Sequence, residues 1–359
     1  MLKPRLALAM IVKNEAAHLA RCLDRIRPWV DHMLVLDTGS SDDTIAIAEH
    51  AGAEVRHFAW CDDFAAARNA ALDAVADYDW VLVLDADETI VAGGEILRRF
   101  IADLEPCLGR IAIRSTFRQE NGEIQTSVSR ISRLLPRGVR YRGRIHEQIA
   151  ATLPHIDTGV VVEHSGYLDT DKSGRNIPLL QAELVGSPQD AALHYLLGRE
   201  WQAIRRHDEA RQHFTESYRL CLGRYTWESD LVVRFLQTLK ACEAFDEAVA
   251  VASAEQERQQ HNADFFFVLA DTLLDLFIRQ PPENPAEVAM VEQCWQRCLE
   301  LGDSHAEVEG RGSYLAAYNL GAFAEVWNDV PKARHWYGMA ATQGYAPASE
   351  RLAGLKEVE

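Results

Sequence analysis

The chain has 359 residues, more than one domain usually contains, so two domains are expected. Hydrophobic residues make up 48% and charged residues 25%, values typical of globular proteins that exclude a wholly disordered or fibrous chain. The 37 basic and 54 acidic side chains give a formal charge of −17, which repels polyanions, so no nucleic-acid partner is predicted.

The apolar runs, the first residues and one cysteine pair of the chain allow three simple predictions. No apolar run reaches the roughly 20 residues that a membrane-spanning helix needs, and Met1–Arg5 lacks the pattern of a signal peptide. We therefore predict no membrane span and a cytoplasmic protein. Cys294 and Cys298 are spaced as on one helical face, which predicts buried small residues rather than half of a zinc site.

Up to about Glu163, short apolar runs alternate with amphipathic stretches. The apolar runs predict strands at Leu6–Val12, His32–Asp37, Glu54–Phe58 and Trp80–Leu84. The amphipathic stretches predict helices at Ala16–Ile26, Asp43–His50 and Ala65–Ala76. This alternation indicates an α/β domain with a mostly parallel, Rossmann-like sheet, in which ligands bind at the carboxyl ends of the strands.

From about Asp190 the pattern is helical, and part of it repeats. Leu197-Gly198 precedes Ala210, and Leu320-Gly321 precedes Ala333 at the same separation (210 − 198 = 333 − 321). Small residues let paired helices approach closely, so the pattern predicts a solenoid of helical hairpins, with an irregular bundle as the alternative. This part resembles tetratricopeptide and Sel-one-like repeats. We place the α/β domain at 1–185 and the all-α repeat domain at 186–359.

The strongest chemical motif is Asp85-Ala86-Asp87, directly after the predicted strand Trp80–Leu84. Residues two apart on a strand point to the same side, so both carboxylates are predicted to face one divalent cation. Acidic pairs at strand ends also serve as helix caps or solvated turns, which is the alternative.

Three further polar segments stand at strand ends or helix starts. Met10-Ile-Val-Lys-Asn-Glu15 precedes a helix, where backbone groups can pair with a nucleotide base and the helix start favours anions, although Asn14 can be a plain cap. In the segment 37–44, capping by Ser41 or Asp42 leaves Asp37 unexplained. Arg68, on an alanine-rich helix, is either a surface cation or within reach of a diphosphate.

These motifs, in this order, resemble the family-two glycosyltransferases with a GT-A fold, and most of all the subgroup with helical repeats after the catalytic domain. That subgroup includes bacteriocin peptide S- and O-glycosyltransferases and lipopolysaccharide-core glucosyltransferases. The resemblance implies a donor site for a nucleotide sugar and a Mn²⁺ or Mg²⁺ ion. It assigns the following residues to the donor site: Val12, Asn14, Glu15, Asp37, Ser40, Arg68 and Asp85. It implies that Asp87 ligates the metal ion bound to the two phosphates and that Asp85 approaches both the ribose and the metal.

Two later segments also match this family. Gly143-Arg-Ile-His-Glu147 resembles its Gly-x-Ile-His-Glu segment, which makes Glu147 the preferred base. His146 is its competitor, because histidine is a common acid and base near neutral pH. Adjacent strand residues face opposite ways, so only one of the two is expected to point at the acceptor. His164-Ser-Gly-Tyr167 resembles its His-x-Gly-Tyr, which implies that His164 completes the metal or diphosphate shell.

Six arginines crowd one stretch of this acidic chain, and some are expected to meet phosphate, while a solvated strand edge explains about half of them equally well. They are Arg130, Arg133, Arg137, Arg140, Arg142 and Arg144. We assign Arg144 to the donor site.

The expected function is a metal-dependent inverting glycosyltransferase that moves a hexose from a UDP-sugar to a peptide or protein side chain. Repeat solenoids present elongated concave surfaces, which favour an extended peptide acceptor on the helical domain. The alternatives are a lipopolysaccharide-core or other glycan acceptor, and an inactive transferase-like scaffold. Phosphoryl transfer is disfavoured because the common phosphate-binding glycine motifs are absent from the sequence. The oligomeric state is open, with a homo-oligomer as one expectation.

Overall fold

A computed structural model of the chain describes residues 3–102, 105–118, 124–164, 173–221, 223, 225–282 and 284–355. The chain divides into two units, Met1–Asp171 and Lys172–Glu359. The first is built around a β-sheet, and the second consists of helices. The α/β class followed by an all-α repeat region is therefore confirmed.

The strands and helices of the first unit alternate as the hydrophobic pattern predicts. Its strands in the described residues are β1 Leu6–Val12, β2 His32–Asp37, β3 Glu54–His57, β4 Trp80–Val83, β5 Glu88–Ala92, β6 Leu108–Arg118, β7 Ile124–Pro136, β8 Tyr141–Arg142, β9 Gln148–Ile149 and β10 His155–His164. Its helices there are α1 Leu19–Ile26, α2 Thr44–His50, α3 Phe64–Ala74 and α4 Gly94–Phe100. The four predicted strands and three predicted helices are all present, with small shifts at their ends.

Eight of these strands form one sheet in the order β3-β2-β1-β4-β7-β6-β10-β5, and β8 pairs with β9 separately. Of the seven pairings in the described sheet, four are parallel and three are antiparallel. The first four strands run in the same direction, so the carboxyl ends of β1, β2 and β4 meet at one edge. Near its end, β10 pairs with β5 across a register shift between Val161 and Val162.

The sheet is covered on both faces, and β1 shows how. Leu6, Leu8 and Met10 belong to the core under α1, whereas Ala7 and Ala9 belong to the core under α3. Successive strand residues point to opposite faces, so a strand buried on both faces needs apolar residues throughout. This burial fixes the register, and with it the position of the polar residues that follow each strand.

The second unit is a series of antiparallel helices. In the described residues they are α5 Ser173–Gly186, α6 Ala191–Ala203, α7 His207–Leu220, α8 Glu228–Ala241, α9 Phe245–Glu255, α10 Ala263–Arg279, α11 Pro285–Leu301, α12 Tyr314–Val326, α13 Val330–Thr342 and α14 Ala346–Gly354. The most extensive contacts between helices join neighbours in the series, such as α6 with α7 and α12 with α13. This nearest-neighbour packing is the property expected of helical-hairpin repeats.

Two hairpins of this unit use the same packing device. A Cβ atom on Gly198 would lie 2.5 Å from the ring of Phe214, and one on Gly321 would lie 2.6 Å from the ring of Tyr337. The two pairs have equal separation in the chain (214 − 198 = 337 − 321). Each glycine therefore leaves the space that an aromatic ring of the next helix fills, which explains why the sequence repeats Leu-Gly.

The boundary between the units lies earlier than the predicted position after residue 185. Helix α5 belongs with the second unit, where Asn176 Nδ2 donates a 2.9 Å hydrogen bond to Glu200 Oε1 on α6.

Cys294 and Cys298 are buried small residues, as their spacing predicts. Among the described residues, no helix has the length and apolar character needed to cross a membrane.

Candidate active site

The loops after β1 and β2 interlock at the carboxyl edge of the sheet. The carbonyl of Val12 accepts a 2.9 Å hydrogen bond from the amide of Thr38. The amide of Asn14 donates to Ser40 Oγ at 2.9 Å, and Asn14 Oδ1 accepts from the amide of Ser41 at 2.7 Å. Asn14 has a φ of 56°, in the left-handed region where asparagine is better tolerated than most residues. Asn14 thus joins the two loops and is not a plain helix cap.

Asp37 lies at the end of β2 and is only 3% exposed. Its carboxylate accepts hydrogen bonds from the amides of Gly39 and Ser40, both at 3.0 Å. Burial raises the pKa of Asp37, but these hydrogen bonds outweigh it and hold the pKa below its ordinary value. Asp37 therefore has a structural role that the sequence did not reveal, because it shapes the turn in which Ser40 and Gly39 lie.

Glu15 lies beside the same two loops. Its amide donates a 2.8 Å hydrogen bond to Thr44 Oγ1, at the start of α2. The predicted donor-site residues Val12, Asn14, Glu15, Asp37 and Ser40 are thus brought into one neighbourhood by hydrogen bonds between loops. Their role in binding a nucleoside stays a prediction.

The acidic pair lies in a turn and not on a strand. Strand β4 ends at Val83, β5 begins at Glu88, and the amide of Glu88 donates to the carbonyl of Asp85 at 3.0 Å. The alternation of a strand does not apply within this turn, and the two carboxylates have different partners: Arg68 and Arg133 for Asp85, His164 for Asp87. The turn removes the strand argument for a shared cation, and the shared cation itself stays a prediction.

Asp85 is held between two arginines. Arg68 Nη2 donates to Asp85 Oδ1 at 2.8 Å, and Arg133 Nη2 donates to Asp85 Oδ2 at 2.9 Å. Burial raises the pKa of Asp85, but the two guanidinium groups outweigh it and hold the pKa well below its ordinary value. Asp85 is therefore a charged anchor for both arginines, and its contact with a metal stays a prediction.

Arg68 itself is 7% exposed, so the alternative of a surface cation is wrong. Besides Asp85, its guanidinium contacts Glu147 through Nε and lies over the ring of Tyr141, 5.7 Å from the centroid. Burial works against its charge, but Asp85 and Glu147 raise the pKa of Arg68 further above its ordinary value. The neighbouring Asn69 exchanges two 2.9 Å hydrogen bonds with the backbone of Tyr141, which fixes this part of α3.

Glu88 closes the other side of the network and is 3% exposed. Glu88 Oε1 accepts from Arg133 at 2.7 Å, and Oε2 accepts from the amide of Asp85 at 2.9 Å. Burial raises the pKa of Glu88, and the charge of Asp85 adds to this effect, so both outweigh the attraction of Arg133. Glu88 therefore fixes the acidic turn through its hydrogen bonds with Arg133 and with the amide of Asp85.

Asp87 and His164 form a separate pair at the end of β10. His164 Nε2 lies 3.1 Å from Asp87 Oδ2, and His164 Nδ1 lies 3.3 Å from Ser115 Oγ on β6. Two ligands at adjacent corners of an octahedral Mg²⁺ site, each about 2.1 Å from the ion, are about 3 Å apart. The carboxylate and imidazole therefore fit a divalent cation as a partial ligand set. Among the described residues, no group of three or more His, Cys, Asp or Glu side chains that could hold a metal is found.

His146 and Glu147 lie in a bend between the short strands β8 and β9. The assumption of a strand with opposite-facing neighbours is therefore wrong, and His146 has a left-handed φ of 51°. Glu147 reaches Arg68, with 12% of its side chain exposed. The side chain of Arg144 is exposed, and its carbonyl accepts a 2.7 Å hydrogen bond from the amide of Phe64 at the start of α3. Glu147 is joined to Asp85 through Arg68.

Sequence reasoning gave no individual role to Glu88, Arg133 or Tyr141. Glu88 follows Asp87 directly, and Arg133 belongs to the arginine-rich stretch expected to meet phosphate, so both had a signal. Other arginines of that stretch pair with surface acids, such as Arg137 with Asp79 at 2.9 Å. Gly166 and Tyr167 of the predicted His-x-Gly-Tyr segment lie outside the described residues.

The family model described as Glycosyl transferase family 2 matches residues 8–118. This region contains the interlocked loops, Arg68 and the acidic turn. The first unit therefore contains a domain of the glycosyl transferase family 2 type, and the resemblance stated from the motifs is confirmed for it.

Two curated relatives extend this comparison. A TPR repeat-containing protein from Synechococcus elongatus is 41% identical over 212 residues, covering 54% of this chain and 51% of the relative. The SPbeta prophage-derived glycosyltransferase SunS of Bacillus subtilis is 25% identical over 226 residues, covering 60% of this chain and 53% of the relative. The chain thus spans about half the length of the curated relatives it matches.

Among solved structures, the TPR protein YrrB, described as having an unusual peptide-binding site, is similar over 52% of this chain and 85% of its own. The sequence identity is 15% and the TM-score is 0.40.

Proposed function

We propose that the first unit is a metal-dependent inverting glycosyltransferase domain that transfers a hexose from a nucleotide sugar, with a UDP-sugar as the expected donor. One observation carries this proposal. Within and beside the region that matches family 2, a buried arginine joins the aspartate after β4 to a glutamate of a distant segment, while the next acidic residue, Asp87, meets His164.

The chemistry asks for two functions on opposite sides of the sugar. The acceptor hydroxyl or thiol attacks the anomeric carbon, the bond from that carbon to the diphosphate oxygen breaks, and the nucleoside diphosphate leaves with the bonding electrons. The proton of the acceptor passes to a base, for which Glu147 is the candidate, with His146 as its competitor. Attack opposite to the leaving group inverts the anomeric centre.

The leaving diphosphate carries negative charge that must be balanced. Arg68 and Arg133 supply two buried cations near Asp85, which supports their interaction with phosphate oxygens. Asp87 and His164 would hold a Mn²⁺ or Mg²⁺ ion, which when bound stabilises the charge of the diphosphate. The interlocked loops around Asn14, Asp37 and Ser40 would receive the nucleoside.

A peptide or protein is the proposed acceptor, bound by the helical unit. The support is the hairpin packing of that unit, because repeat solenoids offer extended surfaces to extended chains. A lipopolysaccharide-core or other glycan acceptor is the rival within the same reaction class. An inactive scaffold is less well supported, since Asp85, Asp87, Glu147 and His164 are all present in the sequence. The cytoplasmic location and a homo-oligomer stay predictions.

The test is donor hydrolysis by the full chain. A panel of nucleotide sugars is incubated with Mn²⁺, with Mg²⁺ and with a chelator, and release of the nucleoside diphosphate is measured. We expect one donor to be hydrolysed with a divalent ion and not with the chelator. If no donor is bound or hydrolysed under any condition, the proposal is wrong.

The acceptor is tested separately with the same enzyme. Proteins that co-purify with the full chain are incubated with the active donor and analysed by mass spectrometry for added hexose. Modified peptides support the peptide acceptor, whereas hexose found only in a lipopolysaccharide fraction supports the rival.

A further inference from the structure

Arg68 is shared between the two carboxylates that the proposed reaction needs. Its Nη2 contacts Asp85, on the donor side, and its Nε contacts Glu147, the candidate base. Arg68 lies on α3, 17 residues before Asp85 and 79 residues before Glu147. A single buried cation therefore couples two segments that the chain brings together only through the fold.

The two carboxylates depend on Arg68 to different degrees. Asp85 is also held by Arg133, whose second partner, Glu88, is itself fixed by the backbone of Asp85. For Glu147, Arg68 is the one side-chain partner found in the part of the chain that the structure describes. If Arg68 moves, Asp85 keeps an anchor and Glu147 is released.

A further feature of Arg68 is the hydrogen bonding of its Nη1 nitrogen. Its Nη1 is buried and has no hydrogen-bond partner within the described residues. A buried donor without a partner is costly, and an anionic oxygen at this place would satisfy it. A diphosphate that binds beside Asp85 would therefore favour movement of the Arg68 guanidinium towards its phosphate oxygens.

Contact with Arg68 fixes the position of the Glu147 carboxylate. Glu147 Oε1 accepts from Arg68 Nε, so one of its two oxygens is engaged and the group is held towards α3 while this contact lasts. A dianionic diphosphate competes for the same guanidinium, which can form paired hydrogen bonds with phosphate oxygens.

On the basis of the proposed function, we propose that Arg68 gates the base, Glu147. Arg68 holds Glu147 while no donor is bound. When a donor binds, its diphosphate attracts Arg68 away from Glu147 and exposes the Glu147 carboxylate. The acceptor is then deprotonated only when a donor is in place. Arg68 is in this sense a positioning residue that links donor binding to the availability of Glu147.

The experiment measures how accessible the Glu147 carboxyl is. The full chain is treated with a carbodiimide and glycine ethyl ester, without and with UDP and MnCl₂, and peptides containing Glu147 are quantified by mass spectrometry. Breaking a charge-assisted contact should increase labelling of Glu147 roughly tenfold when UDP is present. Glu88, which Arg133 holds, should change little.

Variants test the resting contact without any ligand. Arg68→Gln should label Glu147 strongly in the absence of UDP and show no further increase with it. Arg98→Gln is the matched control, because Arg98 pairs with Asp31 at 2.8 Å on another part of the unit and should leave the labelling of Glu147 unchanged. If Arg68→Gln does not fold, judged by circular dichroism, Arg68→Lys keeps the charge but cannot bridge both carboxylates in the same way.

The two failures are distinguishable by calorimetry on the same samples. If neither UDP nor any other nucleoside diphosphate binds with Mn²⁺ or Mg²⁺, the proposed function fails and the gate fails with it. If UDP binds while the labelling of Glu147 in the unaltered protein stays constant or falls, only the gate is wrong.

Discussion

The two units are assembled by contacts of different range. In the helical unit, Gly198 meets Phe214 and Gly321 meets Tyr337 at one fixed separation along the chain. At the carboxyl edge of the sheet, Arg68 meets residues 17 and 79 positions away, and His164 meets Asp87, 77 positions away. The helical unit therefore depends on neighbouring hairpins, whereas the candidate site depends on the topology of the whole sheet.

The largest effect is expected at the long-range site, for Asp87→Asn. Removing the charge that pairs with His164 should lower donor turnover roughly 100-fold to 1,000-fold, because charge stabilisation of a leaving group is worth that much in other enzymes. Turnover is measured as nucleoside diphosphate released at saturating donor. Asp24→Asn, on the exposed face of α1, is the control and should leave turnover unchanged.

Glu147→Gln should come next in size. Loss of a general base costs about 100-fold or more in transfer to an acceptor, while UDP binding, measured by calorimetry, should not weaken, because Glu147 competes with the diphosphate for Arg68. His146→Gln is compared directly with it. A larger loss for His146→Gln than for Glu147→Gln would assign the base to the histidine.

In the helical unit, Gly321→Ala tests the short-range side of the comparison. The added methyl would lie 2.6 Å from the Tyr337 ring, and such overpacking costs about 1–3 kcal/mol of unfolding free energy. Gly338→Ala on the adjacent helix is the matched control, because nothing lies within 4 Å of its added methyl and alanine favours helix by up to ~1 kcal/mol. Urea unfolding measures both.

Donor hydrolysis by Gly321→Ala should equal that of the unaltered protein, because the substitution acts between two neighbouring hairpins. A loss of hydrolysis as large as that of Asp87→Asn would contradict the division into short-range and long-range contacts.

The smallest effect is a pH dependence of the helical unit. His213 Nδ1 lies 3.0 Å from His194 Nδ1, and burial, together with His194, lowers the pKa of His213 to about 4. An unfolded histidine has a pKa near 6.5, so the unfolded chain binds more protons between these values. The contribution of His213 to the unfolding free energy should therefore fall as the pH falls from about 6.5 to about 4.

The pH effect is measured by urea unfolding across this range. His213→Gln should flatten the dependence, while His261→Gln, at an exposed position, should not. An equal slope in the unaltered protein and in His213→Gln would exclude the histidine pair as its source.

The sequence predicted the local features of the fold but not the contacts between side chains that are distant along the chain. Strands β1 and β2 have the predicted limits because their apolar runs end at Val12 and Asp37, where polar loops begin. The repeat of Leu-Gly indicated the helical hairpins because the glycine has a steric cause. These features need only a few residues of context.

The details of the site required the fold. Asp85 and Asp87 were expected to point together, but β4 ends before them, so their directions follow from Arg68, Arg133 and His164. Asp37 is used by the amides of its own turn. No spacing rule in the sequence gives the pairings of Asp85 and Asp87, since Arg68, Arg133 and His164 lie on different strands and helices.

The register shift of β10 has a consequence for any change in chain length there. His164 stands opposite Glu88 on β5, just beyond the irregularity between Val161 and Val162. Inserting one residue at the irregularity would turn every later side chain of the strand to the other face. The imidazole beside Asp87 would then be replaced by the carboxylate of Glu163, which now points away with 54% of its side chain exposed. A single insertion more than a hundred positions along the chain from the loops after β1 and β2 would thus convert a mixed nitrogen and oxygen pair into two repelling acids.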